Sequence, residues 1–151
     1  MIEDTKTIEP PAAGRRLQPL VIRGKGLTIS QPFASLIQSG EKWVENRRWG
    51  TDYRGPLAIH AGKGTQYLRA EELTKYPTGC VIAVARLAAC MLLASMETVS
   101  RECKIPGTGL TIGNVLDHEH TEGPWCWILC DVVACEPKLT RGAQRLWDWV
   151  G

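Results

Sequence analysis

Two apolar runs, GCVIAVARLAACMLL at 79–93 and PWCWILCDVVACEP at 124–137, constrain the fold of this 151-residue chain more than any other feature. Both are rich in valine, isoleucine and other residues that suit a pleated, buried surface. Neither approaches the ~20 apolar residues that a membrane-spanning helix needs. They read as two long buried strands, so the remaining segments have to be arranged around a sheet.

Shorter signals surround them. GLTIS (26–30) and GPLAIHA (55–61) read as strands. SQPFASLIQSG (30–40) reads as a helix, with Ser30 as cap, Pro32 in the first turn and Gly40 at the end; Phe33, Leu36 and Ile37 give it one apolar face. TQYLRAEELTKY (65–76) reads as an amphipathic helix stopped by Pro77 and Gly79. SMETVSREC (95–103) reads as a short capped helix, IPGTGLTIGN (105–114) as a loop, and AQRLWDWVG closes the chain. Several strands, few short helices and uneven connections point to an α+β chain built as a small mixed barrel. Residues 1–22 are polar and proline-containing and read as a flexible tail, leaving 23–151 as one domain.

Composition sets further bounds. At 44% hydrophobic and 23% charged residues the chain is ordinary globular material. A chain of this size can fold without crosslinks. The six cysteines, with no secretory pattern ahead of them, are expected to be free and mostly buried thiols in a soluble cytoplasmic protein. DHEHTEGPWC collects His118, His120 and Cys126 but has no Cys-x-x-Cys pair. Cys126 and Cys135 would face opposite sides of a strand, so no metal site and no cofactor is expected. The net charge of +2 announces no polyanion by itself, so the placement of charge matters more than its sum.

That placement is uneven. Lys42, Arg47, Arg48, Arg54 and Lys63 fall within 22 residues, interleaved with Trp43, Trp49 and Tyr53. Arginine forks bind phosphates and aromatic faces stack on bases, which is the equipment of a single-stranded nucleic-acid groove. An exposed edge in which Glu41, Glu45 and Asp52 pair with those cations accounts for the same residues. HAGKG (60–64) is open in the same way, as an anion-greeting turn with Lys63 or as a plain glycine turn. In an extended strand Lys42 and Glu45 point to opposite faces. They share a pocket only if the chain bends or the strand begins after Lys42, which Gly40 permits.

The stretch LTISQPFASLIQSGEKWVENRRWGTDYRGPLAIHAGKG closely resembles the opening of ASCH domains, the module named for homology to the activating signal cointegrator. The matching pattern is Gly40-x-Lys42-x-x-Glu45-x-Arg47, followed by Arg54, Gly55, Pro56 and His60. GPWCWILCDVVACEP and RGAQRLW are similar to the closing segments of bacterial members, so the resemblance spans about residues 26–149. It implies a PUA-like β-barrel with short decorating helices and a cleft beside the first helix, lined by the Gly-x-Lys-x-x-Glu-x-Arg segment. The implied partner is RNA, another single-stranded nucleic acid or a modified nucleoside.

On that resemblance the ligand-binding residues are Lys42, Trp43, Glu45, Arg47, Arg48, Arg54, His60 and Lys63. Some members are enzymes. A small bacterial branch hydrolyses N4-acetylcytidine with a lysine, a threonine nucleophile and a glutamate, and ribonuclease activity is attributed to others. Here Glu45 stands where that threonine would be, so acyl transfer through this position would give a mixed anhydride rather than an ester. A hydrolase built on this chain would use Glu45 as general base and Lys42 as proton relay, both as catalytic residues. A protein-interaction module with the cleft empty is the third reading.

Overall fold

A computed structural model describes residues 22–151. The two long runs are strands, joined by six shorter ones and three short helices. In chain order these are β1 (Arg23–Ile29), α1 (Phe33–Ser39), β2 (Val44–Arg47), β3 (Gly55–Ala61), β4 (Cys80–Leu92), α2 (Leu93–Met96), β5 (Lys104–Ile105), β6 (Leu110–Thr111), α3 (Ile112–Asp117), β7 (Trp125–Leu139) and β8 (Leu146–Val150). The fold is α+β and mostly strand.

Six strands form one sheet in the order β2-β7-β4-β3-β1-β8, and β5 pairs with β6. Only β1 and β3 run parallel; the other ladders are antiparallel. β2 and β8 end the sheet and do not pair with each other, so the sheet does not close into the expected barrel. The β4–β7 ladder shifts register three times, between Val81/Ala83, Val84/Arg86 and Leu87/Ala89. Bulges of this kind add twist and bend, which lets strands of 13 and 15 residues curl around a core.

Two of the three apolar clusters tie the helices to the sheet. Ala34 and Ile37 of α1 pack with Leu27, Leu57, Ile59 and Trp127. Val44, Ala89, Met96, Val115 and Ile128 join α2 and α3 to the sheet. Trp127 is fully buried, donates its indole N–H to the Trp49 carbonyl at 3.2 Å and meets the Trp49 ring edge-on at 4.8 Å. The six cysteines are free thiols: Cys80 and Cys126 are buried, Cys103 is exposed and the others lie between. Burial raises the Cys126 thiol to about 11, which keeps it protonated and inert at neutral pH.

Several local expectations change. Ser30 does not cap α1; the buried Gln31 does, its Oε1 accepting from the Ser35 amide at 3.0 Å while its Nε2 donates to the Pro77 carbonyl at 2.8 Å. The segment 65–76 is not a helix but a series of turns with one 3-10 turn, Ala70–Glu72. Its apolar residues Tyr67 and Leu73 are 58% and 48% exposed, so no buried face supports a helix too short to stand alone. The helix expected over 95–103 is the single turn α2, which begins earlier. The expected loop 105–114 contains β6 and the start of α3, whose cap Thr111 accepts from the Asn114 amide while Asn114 reaches back to the Thr111 amide.

The flexible tail expected over 1–22 lies outside the described residues, save Ile22, which exchanges both backbone hydrogen bonds with Gly151. No helix among the described residues is long and apolar enough to cross a membrane.

Gly26 sits opposite Trp147 in the β1–β8 ladder, and a Cβ there would lie 2.4 Å from the indole ring. Gly26→Ala is expected to destabilise the fold by about 1–3 kcal/mol through overpacking. An unchanged denaturant midpoint would show that the Trp147 ring is free to move aside.

Candidate functional site

The site is made where the chain leaves α1. Gly40 takes a left-handed conformation (φ 86°) and its amide bonds to the Ile37 carbonyl, ending the helix. The Lys42 amide then returns to the Leu36 carbonyl at 3.0 Å, and β2 starts only at Val44. The chain therefore bends before the strand begins. This bend puts Lys42 on the same side as Glu45, which strict strand alternation from residue 42 would forbid.

Lys42 and Glu45 are 3% and 7% exposed. The Lys42 ammonium lies 3.2 Å from Glu45 Oε1 and donates to the Val44 carbonyl. Glu45 Oε1 also accepts from the Asn46 amide at 3.1 Å, and Oε2 accepts from Arg47 Nη2 at 2.9 Å. The same Arg47 nitrogen donates to the Thr28 carbonyl at 2.9 Å. A carboxylate has about four acceptor positions. Three are used, leaving one on Oε2. On the donor side, Arg47 Nε is buried with no partner among the described residues. The triad has two cations for one anion, Glu122 brings a second carboxylate to the lining, and the triad keeps an unused acceptor and an orphaned donor.

The walls are polar on one side and aromatic on the other. The cleft is about 270 Å³, and Ser30, Phe33, Tyr67, His120 and Glu122 complete its lining. The Phe33 and Tyr67 rings meet edge to face at 5.2 Å, and the Lys42 ammonium lies 5.9 Å from the Phe33 ring centre. Asn46 fixes the opposite wall. Its Nδ2 donates to the His120 carbonyl at 2.7 Å, and its Oδ1 accepts from the Glu122 and Gly123 amides at 2.9 and 2.8 Å.

Not all residues expected at the site are here. Lys42, Glu45 and Arg47 converge. Trp43 faces the second core cluster, its ring tilted against His118 at 4.4 Å. Arg48 is exposed and does not line the cleft. Arg54 is spent on the Thr51 and Tyr53 carbonyls beside a separate recess. Trp49 and Tyr53 pack against the main core. His60 and Lys63 line a neighbouring groove that shares Thr28 with the cleft.

Sequence reasoning missed Phe33 and Tyr67 as the aromatic wall because it read Phe33 as part of the apolar face of α1 and Tyr67 as part of a helix that does not form. It missed Asn46 because an asparagine between Glu45 and Arg47 has no spacing signature; its three partners lie more than 70 positions away. His120 is a wall element, and His118 lies behind it: its Nε2 accepts the Trp43 amide at 3.3 Å while His120 lines the cleft.

The family model of the ASCH domain matches residues 27–138. The chain belongs to the ASCH-domain family. That span runs from β1 to the end of β7 and contains the whole cleft. It stops short of β8, which the resemblance read from the sequence had included. ASCH domains are generally considered RNA-binding. None of the curated proteins matches the chain.

Two outcomes follow from this ASCH site. Removing the Glu45 carboxylate strands a buried ammonium, so Glu45→Ala is expected to cost about 3–5 kcal/mol of folding free energy. Wild-type stability in that variant would mean that water reaches and solvates Lys42. Burial, with smaller contributions from His120 and Lys42 and opposed by Glu119, holds His118 below the ordinary histidine value of 6.5. The unfolded chain therefore takes up this proton first, and stability is lost as pH falls through about 6.5. The melting temperature should fall between about pH 7 and pH 5, and less steeply in His118→Gln; identical slopes would remove His118 from the effect.

Proposed function

We propose that the Lys42–Glu45–Arg47 cleft binds a base of single-stranded RNA, or a free nucleoside, by its hydrogen-bonding edge. The observation that carries this reading is the donor and acceptor inventory. The cleft offers one vacant acceptor on Glu45 Oε2, with the orphaned Arg47 Nε and the third proton of Lys42 as donors. A base with an exocyclic amino group beside a ring nitrogen or carbonyl matches that set: the amino group donates to Glu45 and the acceptors take the cations.

Size and shape support the same ligand. At about 270 Å³ the cleft is at the small end of ligand pockets, enough for a base but not for a folded helix. Sequence-specific RNA recognition favours unstacked bases held between aromatic faces and polar edges. Phe33 and Tyr67 supply the face. Tyr67 is 58% exposed, which leaves its ring open to a stacked base. Trp43 and Trp49 are too engaged in packing to serve.

A hydrolase would use the same single lone pair on Glu45 as its general base, with Lys42 relaying the proton. Recognition fits the geometry better, because two hydrogen bonds and the ion pair with Lys42 already engage three of the four acceptor positions of Glu45 and brace it in place.

Titration of fluorescent nucleosides and short single-stranded RNAs tests this reading. Tyr67→Ala should lose about 1–3 kcal/mol of binding free energy. That is on the order of tenfold or more in Kd. Glu45→Gln should weaken binding of bases with an exocyclic amino group and spare those without one. Equal effects on both kinds of base would rule out recognition of the base edge. Turnover of RNA or modified cytidines by wild type that is lost in Glu45→Gln, with binding retained, would instead establish the hydrolase.

A further inference from the structure

Beside the cleft lies a larger groove of about 880 Å³, walled by the turn after β3 and the segment that joins β7 to β8. We propose that this groove is a phosphodiester track, which leads the RNA backbone away from the base held in the cleft. The inference rests on the preceding reading for the identity of the strand, but its residues are different ones.

Four observations carry it. First, the two cavities share Thr28. Its carbonyl takes Arg47 on the cleft side, while its hydroxyl lies 3.1 Å from His60 Nδ1 on the groove side. A chain leaving the cleft past Thr28 enters the groove directly.

Second, the charge is of one sign. Lys63 and Arg141 stand on the two opposing segments, and no acidic side chain among the described residues lines the groove. Neither cation takes part in an ion pair among the described residues. Surface cations left unpaired across a concave groove focus field on an anion.

Third, the backbone is available. The amides of Lys63, Gly64, Gly142 and Ala143 make no hydrogen bond among the described residues, so donors accompany both cations. The Lys63 stem lies along Gly79, where a Cβ would stand 3.0 Å from Lys63 Cε. Glycine at 79 therefore lets the lysine lie down into the groove.

Fourth, the wall is built rather than incidental. His60 is 4% exposed, and its Nε2–H donates to the Thr140 carbonyl at 2.6 Å. Gly142 is pressed onto Thr28 and His60, since a Cβ there would come within 2.5 Å of Thr28 Oγ1 and 2.7 Å of the imidazole. The buried histidine thus holds the segment that bears Arg141 against the sheet. This gives His60 and Lys63 a place in binding different from that of the cleft residues: His60 positions the wall and Lys63 touches phosphate.

The test compares a mononucleoside with a single-stranded hexanucleotide RNA over a range of salt, in wild type and in the Lys63→Ala, Arg141→Ala double variant. Both side chains are exposed, so folding should be unaffected, which a melting curve checks. The double variant should bind the mononucleoside as wild type does and the hexanucleotide about tenfold or more weakly. Its log Kd against log salt should be shallower by about 0.7 for each phosphate that the variant no longer neutralises. Equal hexanucleotide affinity and equal salt slope in the two proteins would overturn the track. So would an acidic peptide that competes as well as RNA, since the groove would then answer to charge alone. If the mononucleoside fails to bind wild type while the hexanucleotide still depends on Lys63 and Arg141, the base-edge reading falls and the track stands.

Discussion

The ladder between β4 and β7 is the constraint on which the rest of this ASCH domain depends. These two strands form the middle of the sheet, with β3 and then β1 and β8 added on one side and β2 on the other. All three apolar clusters take residues from this pair, among them Ile82 and Trp127 in the first, Ala89 and Ile128 in the second and Val81 in the third. Three register shifts bend it, and the concave side receives α1. Without that curvature α1 would have no bed, and the turn that aims Lys42 would have no fixed origin.

The cost of the site is carried by geometry. Two cations and a carboxylate in a nearly dry wall cost several kcal/mol of desolvation unless each is well bonded. Glu45 meets that demand with its own backbone neighbour and both cations, and Lys42 adds the Val44 carbonyl. The network leaves one acceptor and one buried donor over. In a low-dielectric recess such leftovers are the most selective groups available, because a ligand that fails to satisfy them leaves a penalty behind. Thr28 then links this recess to the larger groove beside it, which carries Lys63 and Arg141.

Much of this is legible in the chain, for reasons that differ from residue to residue. β3 can be read at its observed bounds, and β4 and β7 nearly so, because runs of Val, Ile and Ala between glycines and prolines have few other outcomes. Gly40 marks the bend that unites Lys42 with Glu45, since a glycine at a helix end signals a left-handed turn. The segment 65–76 misleads because its spacing is helical, although apart from Tyr67 against Phe33 its apolar residues find no buried face. The cap of α1 misleads because the Gln31 amide that accepts from Ser35 is itself anchored on the Pro77 carbonyl 46 positions away, which local capping rules do not see. Arg48 and Arg54 group with Arg47 by proximity in sequence, and the strand and the following turn send them elsewhere.

The sequence by itself determined the family and the strand-rich α+β class, and it singled out Lys42, Glu45 and Arg47 as a group, because each rests on short-range pattern and residue chemistry. Only the tertiary structure decided that the sheet stays open, that Phe33 and Tyr67 rather than the tryptophans face the cleft, and that His60 and Lys63 belong to a second groove with Arg141. Those outcomes depend on which surfaces compete for the same buried volume. Trp127 and Trp49 won places in the core and Tyr67 did not, and no local spacing encodes that contest.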